Sequence, residues 1–157
     1  MKTRGRVSEV FRTQSLRPDV LAAHLDVYLS IMFGHGGLPR KERETIAVLV
    51  SSINECRYCV VHHSAALAKY GVIHAGIGDL VGGADQKNKQ MLRYAEKLTK
   101  EPGSVVKADV RALRQSGFSD EEILQINLVT SYFNFVNRIV SGLGVKLEAA
   151  GGEGYRY

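Results

Sequence analysis

Between Glu44 and His63 lie four side chains whose types and spacing suit thiol chemistry: Glu44, Cys56, Cys59 and His63. Both cysteines of the chain fall in the run Cys56-Arg57-Tyr58-Cys59. A bridge between them closes so short a loop that it would staple a domain poorly. In a reducing cytosol such a pair reads instead as redox-active or metal-binding. On a helix, positions i, i+3 and i+7 share a face, so Cys56, Cys59 and His63 form one stripe and His62 is turned off it. Cα atoms three apart on a helix are about 5 Å apart, within the reach of a disulfide, so the pair can oxidise and reduce with little backbone movement. The first turn of a helix favours a thiolate, and a histidine one turn on can take its proton. Cys59, four residues before His63, is the better-placed nucleophile.

The elements that must position these groups can be read around them. Leu21, Leu25, Tyr28, Leu29 and Met32 recur at helical spacing after Pro18, and the pattern stops at Gly34, which predicts a helix over Pro18 to Phe33. His35-Gly36-Gly37 is a loop. From Pro39 a charged opening, Arg40 to Glu44, runs into Ile46, Ala47, Val48, Leu49, Val50 and Ile53 as a second helix. Asn54 is expected to cap a third helix that carries the cysteines and closes at Gly71. If the chain reverses at Asn54 into an antiparallel pair, Glu44 faces the level of His63 and Ala65 and can orient the imidazole.

Further along, Asp85 to Lys100 is amphipathic through Met91, Leu92, Ala95 and Leu98, and Ser104 to Ser116 is a further helix. Ser119 with Glu122 makes a capping box for a long apolar helix through Ile123, Ile126, Val129, Phe133, Val136 and Val140. No segment alternates with a two-residue period between hairpin turns, so the fold class is all-α. Stretches 80 positions apart also match: Ile46 with Ile126, Val48 with Leu128, Leu49 with Val129, Ser51 with Ser131, Asn54 with Asn134. Duplication of a helical unit and a chance likeness of two buried helices both account for this. In either case only the first copy carries chemistry.

A chain of 157 residues with 45% hydrophobic composition suits one compact domain, taken as 1–147 with a glycine-rich flexible tail over 148–157. The formal charge of +5 is dispersed, with no dense basic run or nucleic-acid motif, so no nucleic-acid partner is expected. No apolar stretch has the length of a signal peptide or approaches the ~18 residues of a membrane span, so a soluble, cytoplasmic protein without a membrane partner is expected. The apolar girth of the helix from Ile123 to Val140, with Tyr132, Phe133 and Phe135 adjacent, exceeds what one chain easily covers, which predicts self-association.

The run from Glu42 to His63, ERETIAVLVSSINECRYCVVHH, resembles the active-site motif of the alkylhydroperoxidase D and carboxymuconolactone decarboxylase superfamily, above all its peroxidase-related branch. The resemblance is strong over about residues 38 to 72 and holds by pattern over 85 to 145. It implies an alkylhydroperoxidase D-like helical bundle, a thiol peroxidase or disulfide reductase activity, and a homo-oligomer, commonly a trimer or hexamer; because the dithiol's work needs a free thiolate, no metal or cofactor is expected. It also implies the roles: Glu44 and His63 as proton relay, Cys59 as the thiol that attacks peroxide, Cys56 as the resolving thiol. The implied partners are a peroxide or other small-molecule substrate and a dithiol or protein electron donor. The chain has Tyr58 where alkylhydroperoxidase D can carry a histidine, and the decarboxylase branch lacks the CxxC.

Three other readings stay open. The dithiol could serve as a disulfide reductase for a separate peroxidase, or as a non-catalytic redox sensor in a helical oligomer. Alternatively, Cys56 and Cys59 could bind zinc with one or two of His62, His63, His24 and His35.

Overall fold

The computed structural model describes residues 7–149, and among these there is no strand. Eight α-helices follow one another: α1 Glu9–Arg12, α2 Pro18–Phe33, α3 Arg40–Ile53, α4 Arg57–Ala68, α5 Ile77–Gly82, α6 Gln86–Lys100, α7 Lys107–Gln115 and α8 Asp120–Gly142. A 3-10 turn, Pro102–Ser104, joins α6 to α7. The protein is all-α, as its sequence predicts.

The hub is α3, which packs against α4, α6 and α8. Every residue from Arg43 to Ser51 is buried, so the helix is enclosed on all sides rather than along one stripe. That is why its sequence reads as a continuous apolar run after a charged opening. Two buried charges are part of this helix. Arg43 donates to the carbonyls of Ile31, Gly34, Leu38 and Gly36, at 2.8 to 3.2 Å, and so ties the α2–α3 loop to the hub. Glu44 belongs to the site described below.

At the other end of the chain, α8 starts with the expected capping box: the Ser119 N–H donates to Glu122 Oε2 (2.6 Å) and the Glu122 N–H to Ser119 Oγ (3.2 Å). Its buried residues include Ile123, Ile126, Val129, Phe133, Val136 and Val140, the predicted stripe. Asp85 caps α6 through Asn88 N–H at 2.7 Å.

Several boundaries differ from the sequence expectation. Asn54 does not cap α4; it ends α3, and its amide reaches α8 instead. α4 therefore begins at Arg57 rather than carrying Cys56 inside it. α7 begins at Lys107 rather than Ser104, because Pro102 and Gly103 take the chain through the 3-10 turn first. The short helices α1 and α5 have too few residues to show a period. Glu148, read as the start of a loose tail, is buried and hydrogen-bonded. The rest of that expected tail, from residue 150 on, lies outside the described residues.

Candidate active site

The helix α3 ends in a way that decides where Cys56 sits. The Cys56 N–H donates to the Ser51 carbonyl (2.8 Å) and the Glu55 N–H to that of Ser52 (3.1 Å), the paired bonds of a Schellman turn. Such a turn needs one residue in the left-handed region. After α7 and α8 the corresponding residues are Gly117 and Gly144; after α3 it is Glu55, with φ of 55°. A non-glycine residue there is strained by about 1–3 kcal/mol. The consequence is a tight reversal that leaves Cys56 as the N-cap residue of α4, with Cys59 one turn inside it.

Both thiols are buried and unbridged. The Cys56 thiol is lowered to about 7 because the Cys59 S–H donates to it, against the opposing effect of burial, with further help from the Cys59 backbone N–H and the Asn137 amide. Among the described residues no charged side chain contributes to this acidity. Cys59 is pushed up, first by its donation to Cys56 and then by burial and the Cys56 charge, although Asn137 and Ser51 pull it down. The more acidic side of the pair is thus Cys56, whereas the sequence expectation puts the attacking thiol at Cys59. The cap of α4 falls at Cys56 rather than Asn54, which brings the Cys59 backbone N–H to bear on the Cys56 sulfur.

Glu44 and His63 meet as the antiparallel register predicts: His63 Nδ1 lies 2.6 Å from Glu44 Oε2. Phe133 packs edge-on against the imidazole, with ring centroids 4.6 Å apart. The other carboxylate oxygen of Glu44 takes Arg40 through Nε at 2.7 Å and through a second guanidinium nitrogen. Arg40 is itself held by the Met32 carbonyl (2.9 Å) and stacks 3.6 Å above the centre of the Phe33 ring. Burial alone would raise the Glu44 carboxyl, but the charges and hydrogen bonds of His63 and Arg40 outweigh it and leave the group below the ordinary range.

His62 points elsewhere, as expected. Its Nε2 lies 2.9 Å from Glu148 Oε2, and burial lowers its pKa despite that carboxylate, so it is a neutral donor at pH 7. Tyr58, between the two cysteines in sequence, donates its hydroxyl to Glu148 Oε1 (3.0 Å), which also accepts the Glu9 N–H (3.0 Å). Both ends of the described chain thus close over the CxxC helix. His24 is buried between Gln14 and Tyr132, and His35 is exposed on its loop. The histidines of the zinc reading are dispersed, and among the described residues no group of three or more His, Cys, Asp or Glu is placed to hold a metal ion.

Sequence reasoning missed Asn137 and Glu148 as site residues and met Ser51 only as a match between the two stretches 80 positions apart. The offset comparison had flagged Ser51 and Asn54, and Asn54 does touch its counterpart, with Nδ2 3.1 Å from Asn134 Oδ1. Asn137, three residues beyond that counterpart on an apolar helix, gave no signal except its polarity.

The bundle thus buries an N-capping thiol and a second thiol on one helix with a carboxylate–imidazole pair. Residues 18–86 match the model of the carboxymuconolactone decarboxylase family. An uncharacterized peroxidase-related protein from Silicibacter sp. TM1040 is 34% identical, with a TM-score of 0.84 over 94% of this chain and 80% of that one. A second, from Ralstonia eutropha JMP134 and described as an alkylhydroperoxidase AhpD core, is 33% identical with a TM-score of 0.85 and the same coverage. The debrominase Bmp8 in complex with 2,3,4-tribromopyrrole shares the fold at 19% identity, with a TM-score of 0.77 over 96% of this chain and 82% of that one. No curated protein matches the chain in sequence. The chain belongs to the carboxymuconolactone decarboxylase family, among its AhpD-like peroxidase-related members.

Proposed function

We propose that this protein is a thiol-dependent antioxidant oxidoreductase that reduces hydroperoxides through a Cys56/Cys59 dithiol–disulfide cycle. The observation that carries this reading is the acidic, N-capping Cys56 thiol with a second thiol hydrogen-bonded to it. In the first step the Cys56 thiolate attacks the terminal oxygen of ROOH. The O–O bond breaks, the sulfur becomes a sulfenic acid, and the departing alkoxide takes a proton to leave as ROH, with the Glu44–His63 pair as proton source. Cys59 then condenses with the sulfenic acid, forming the S–S bond and releasing water. An external dithiol, small or carried on a protein, returns two electrons and two protons by exchange and resets the site.

Membership in a family that includes enzymes, and a likeness to peroxidase-related proteins, support this reading at the family level. The test is a thiol titration of the reduced protein before and after one equivalent of an organic hydroperoxide. Loss of two thiols per chain, with one ROH formed, is the expected result. Unchanged thiols would sink the proposal, and rapid oxidation by a protein disulfide alone would make the protein a disulfide reductase.

The same reading places the protein in a reducing compartment, the cytoplasm, where dithiol donors are available. No helix among the described residues is long and apolar enough to cross a membrane. We further propose a homo-oligomer, a trimer or hexamer. Val20, Val27 and Phe33 on α2 and Leu124, Leu128 and Phe135 on α8 are large apolar side chains left exposed by the single chain. Light scattering at micromolar concentration should give a mass of three or six chains, and a strictly monomeric mass would refute the assembly.

A further inference from the structure

The neutral amides of α3 and α8 form a continuous chain that crosses the core and ends on the two sulfurs. Asn134 can be oriented without ambiguity. Its Nδ2 faces the Thr130 carbonyl (3.1 Å), which only accepts, and its Oδ1 receives Arg138 (3.1 Å), which only donates. Thr99 agrees: its hydroxyl donates to the Ala95 carbonyl (2.7 Å), so its oxygen accepts from Asn134 Nδ2 (3.0 Å).

With Asn134 Oδ1 fixed as an acceptor, the Asn54 group facing it must be its NH2, 3.1 Å away. The second hydrogen of that NH2 goes to Asn137 Oδ1 at 3.0 Å. Asn137 is then fixed in turn. Its oxygen points at Asn54 and its NH2 points the other way, toward Ser51 Oγ at 3.1 Å; Ser51, whose carbonyl takes the Cys56 N–H at 2.8 Å, stands beside the thiols, and donation from the Asn137 amide lowers both of them. Ser51 Oγ accepts that bond, which leaves the hydroxyl hydrogen free for the Cys59 sulfur, with which it also pairs. Every polar group of α3 and α8 that reaches the pair is thus turned hydrogen first.

That polarity matters because of where it is. A buried thiolate has lost its water, and what replaces the water must donate. Asn137 is 1% exposed, and a flipped amide would put Oδ1 against the sulfur and repel the charge. We propose that Asn137 is a catalytic residue of the dithiol site, holding the thiolate through Nδ2–H, and that Asn54 is the positioning residue that stops its amide from flipping. The inference rests on the dithiol cycle proposed above, but it concerns the reduced protein before any peroxide arrives.

The titratable groups that face this region are the two cysteines, with His63 on α4 and Glu44 on α3 paired to each other; Arg138 on α8 is exposed. A pH profile therefore reads the amide chain if Glu44 and His63 are left in place. The experiment is the rate of iodoacetamide alkylation of the fully reduced protein against pH, together with thiolate absorbance at 240 nm. Wild type should titrate near 7, with the Cys56 thiol lowered by its hydrogen bonds. Asn137→Ala should move the midpoint up by about one unit, a tenfold slower alkylation at pH 6. Asn54→Ala, which touches neither sulfur, should move it by a smaller amount in the same direction, because Asn137 can then rotate. Should Asn137→Ala fail to fold, the near-isosteric Asn137→Asp carries the test, with a shift at least as large.

An unshifted profile in a cooperatively melting Asn137→Ala or Asn137→Asp protein would overturn the proposal. An unshifted Asn54→Ala beside a shifted Asn137→Ala would overturn the lock. Alkylation needs no peroxide, so a protein that shows these shifts yet consumes no hydroperoxide would fail the proposed function while upholding the role of Asn137.

Discussion

Cys56→Ser protein should lose its first turnover with hydroperoxide, whereas Cys59→Ser protein should consume one equivalent and stop at a sulfenic acid that a dimedone reagent traps. The thiolate, not the thiol, is the nucleophile, and in the proposed cycle the thiol lowered by its partner's hydrogen bond is that of Cys56. Removing Cys56 leaves a buried thiol at Cys59 that burial pushes up. If it titrates like an ordinary thiol, at pH 7 ionisation alone then slows the first step by roughly fifteenfold relative to a group half-ionised at that pH. Removing the Cys59 sulfur costs less, because a serine hydroxyl still donates to Cys56 and the backbone N–H of position 59 is unchanged. Single-turnover thiol loss with trapping, on both variants, distinguishes the two roles. The opposite pattern would return the attack to Cys59, the division implied by the motif's resemblance to alkylhydroperoxidase D.

Loss of the Glu44 carboxylate should be the most destabilising single change at the site. Glu44 is fully enclosed and is shared by Arg40 and His63, so Glu44→Ala strands a guanidinium that is itself largely buried. Removing one partner of a buried charge pair costs about 3–5 kcal/mol. Glu44→Gln keeps the shape, removes the charge and should cost less. The pH dependence has a definite sign. The folded carboxyl lies below its ordinary value, so its contribution is fully present above the unfolded value of about 4.3 and is lost as pH falls through the folded one. Denaturant midpoints should separate wild type from Glu44→Gln by a constant amount between pH 7 and about 5, and the gap should narrow below about 4. A gap that is absent at pH 7, or undiminished at pH 3, would contradict the account.

The parts of this molecule that follow simple periods were legible in its sequence. The long helices α2, α3, α6 and α8 were marked by apolar spacing, a proline at the start of α2, Asp85 ahead of α6 and the Ser119/Glu122 box. The meeting of Glu44 with His63 also followed, since equal rise along two antiparallel helices needs only the position of the reversal. What was hidden depended on a small shift of register. Asn54 has the chemistry of an N-cap, and the sequence could not show that a glutamate, not a glycine, would take the left-handed place after it. That shift of the cap by two residues moved Cys56 from the helix to its cap. Asn137 and Glu148 were hidden for a different reason: their partners lie 83 and 90 positions away at Asn54 and Tyr58, a distance over which no local pattern carries information.

The contact of Glu148 with the Glu9 N–H and the Tyr58 hydroxyl makes the described chain nearly a closed loop in space, its first and last described stretches meeting at one place. A short linker between the ends would therefore allow circular permutation, with the new opening in the exposed turn after Gly71 and the hub helix left whole. It also means that the seam between residues 9 and 148 is not neutral ground for engineering: a linker or reporter inserted there would sit against the tyrosine that separates the two cysteines, close enough to report on their state or to disturb it.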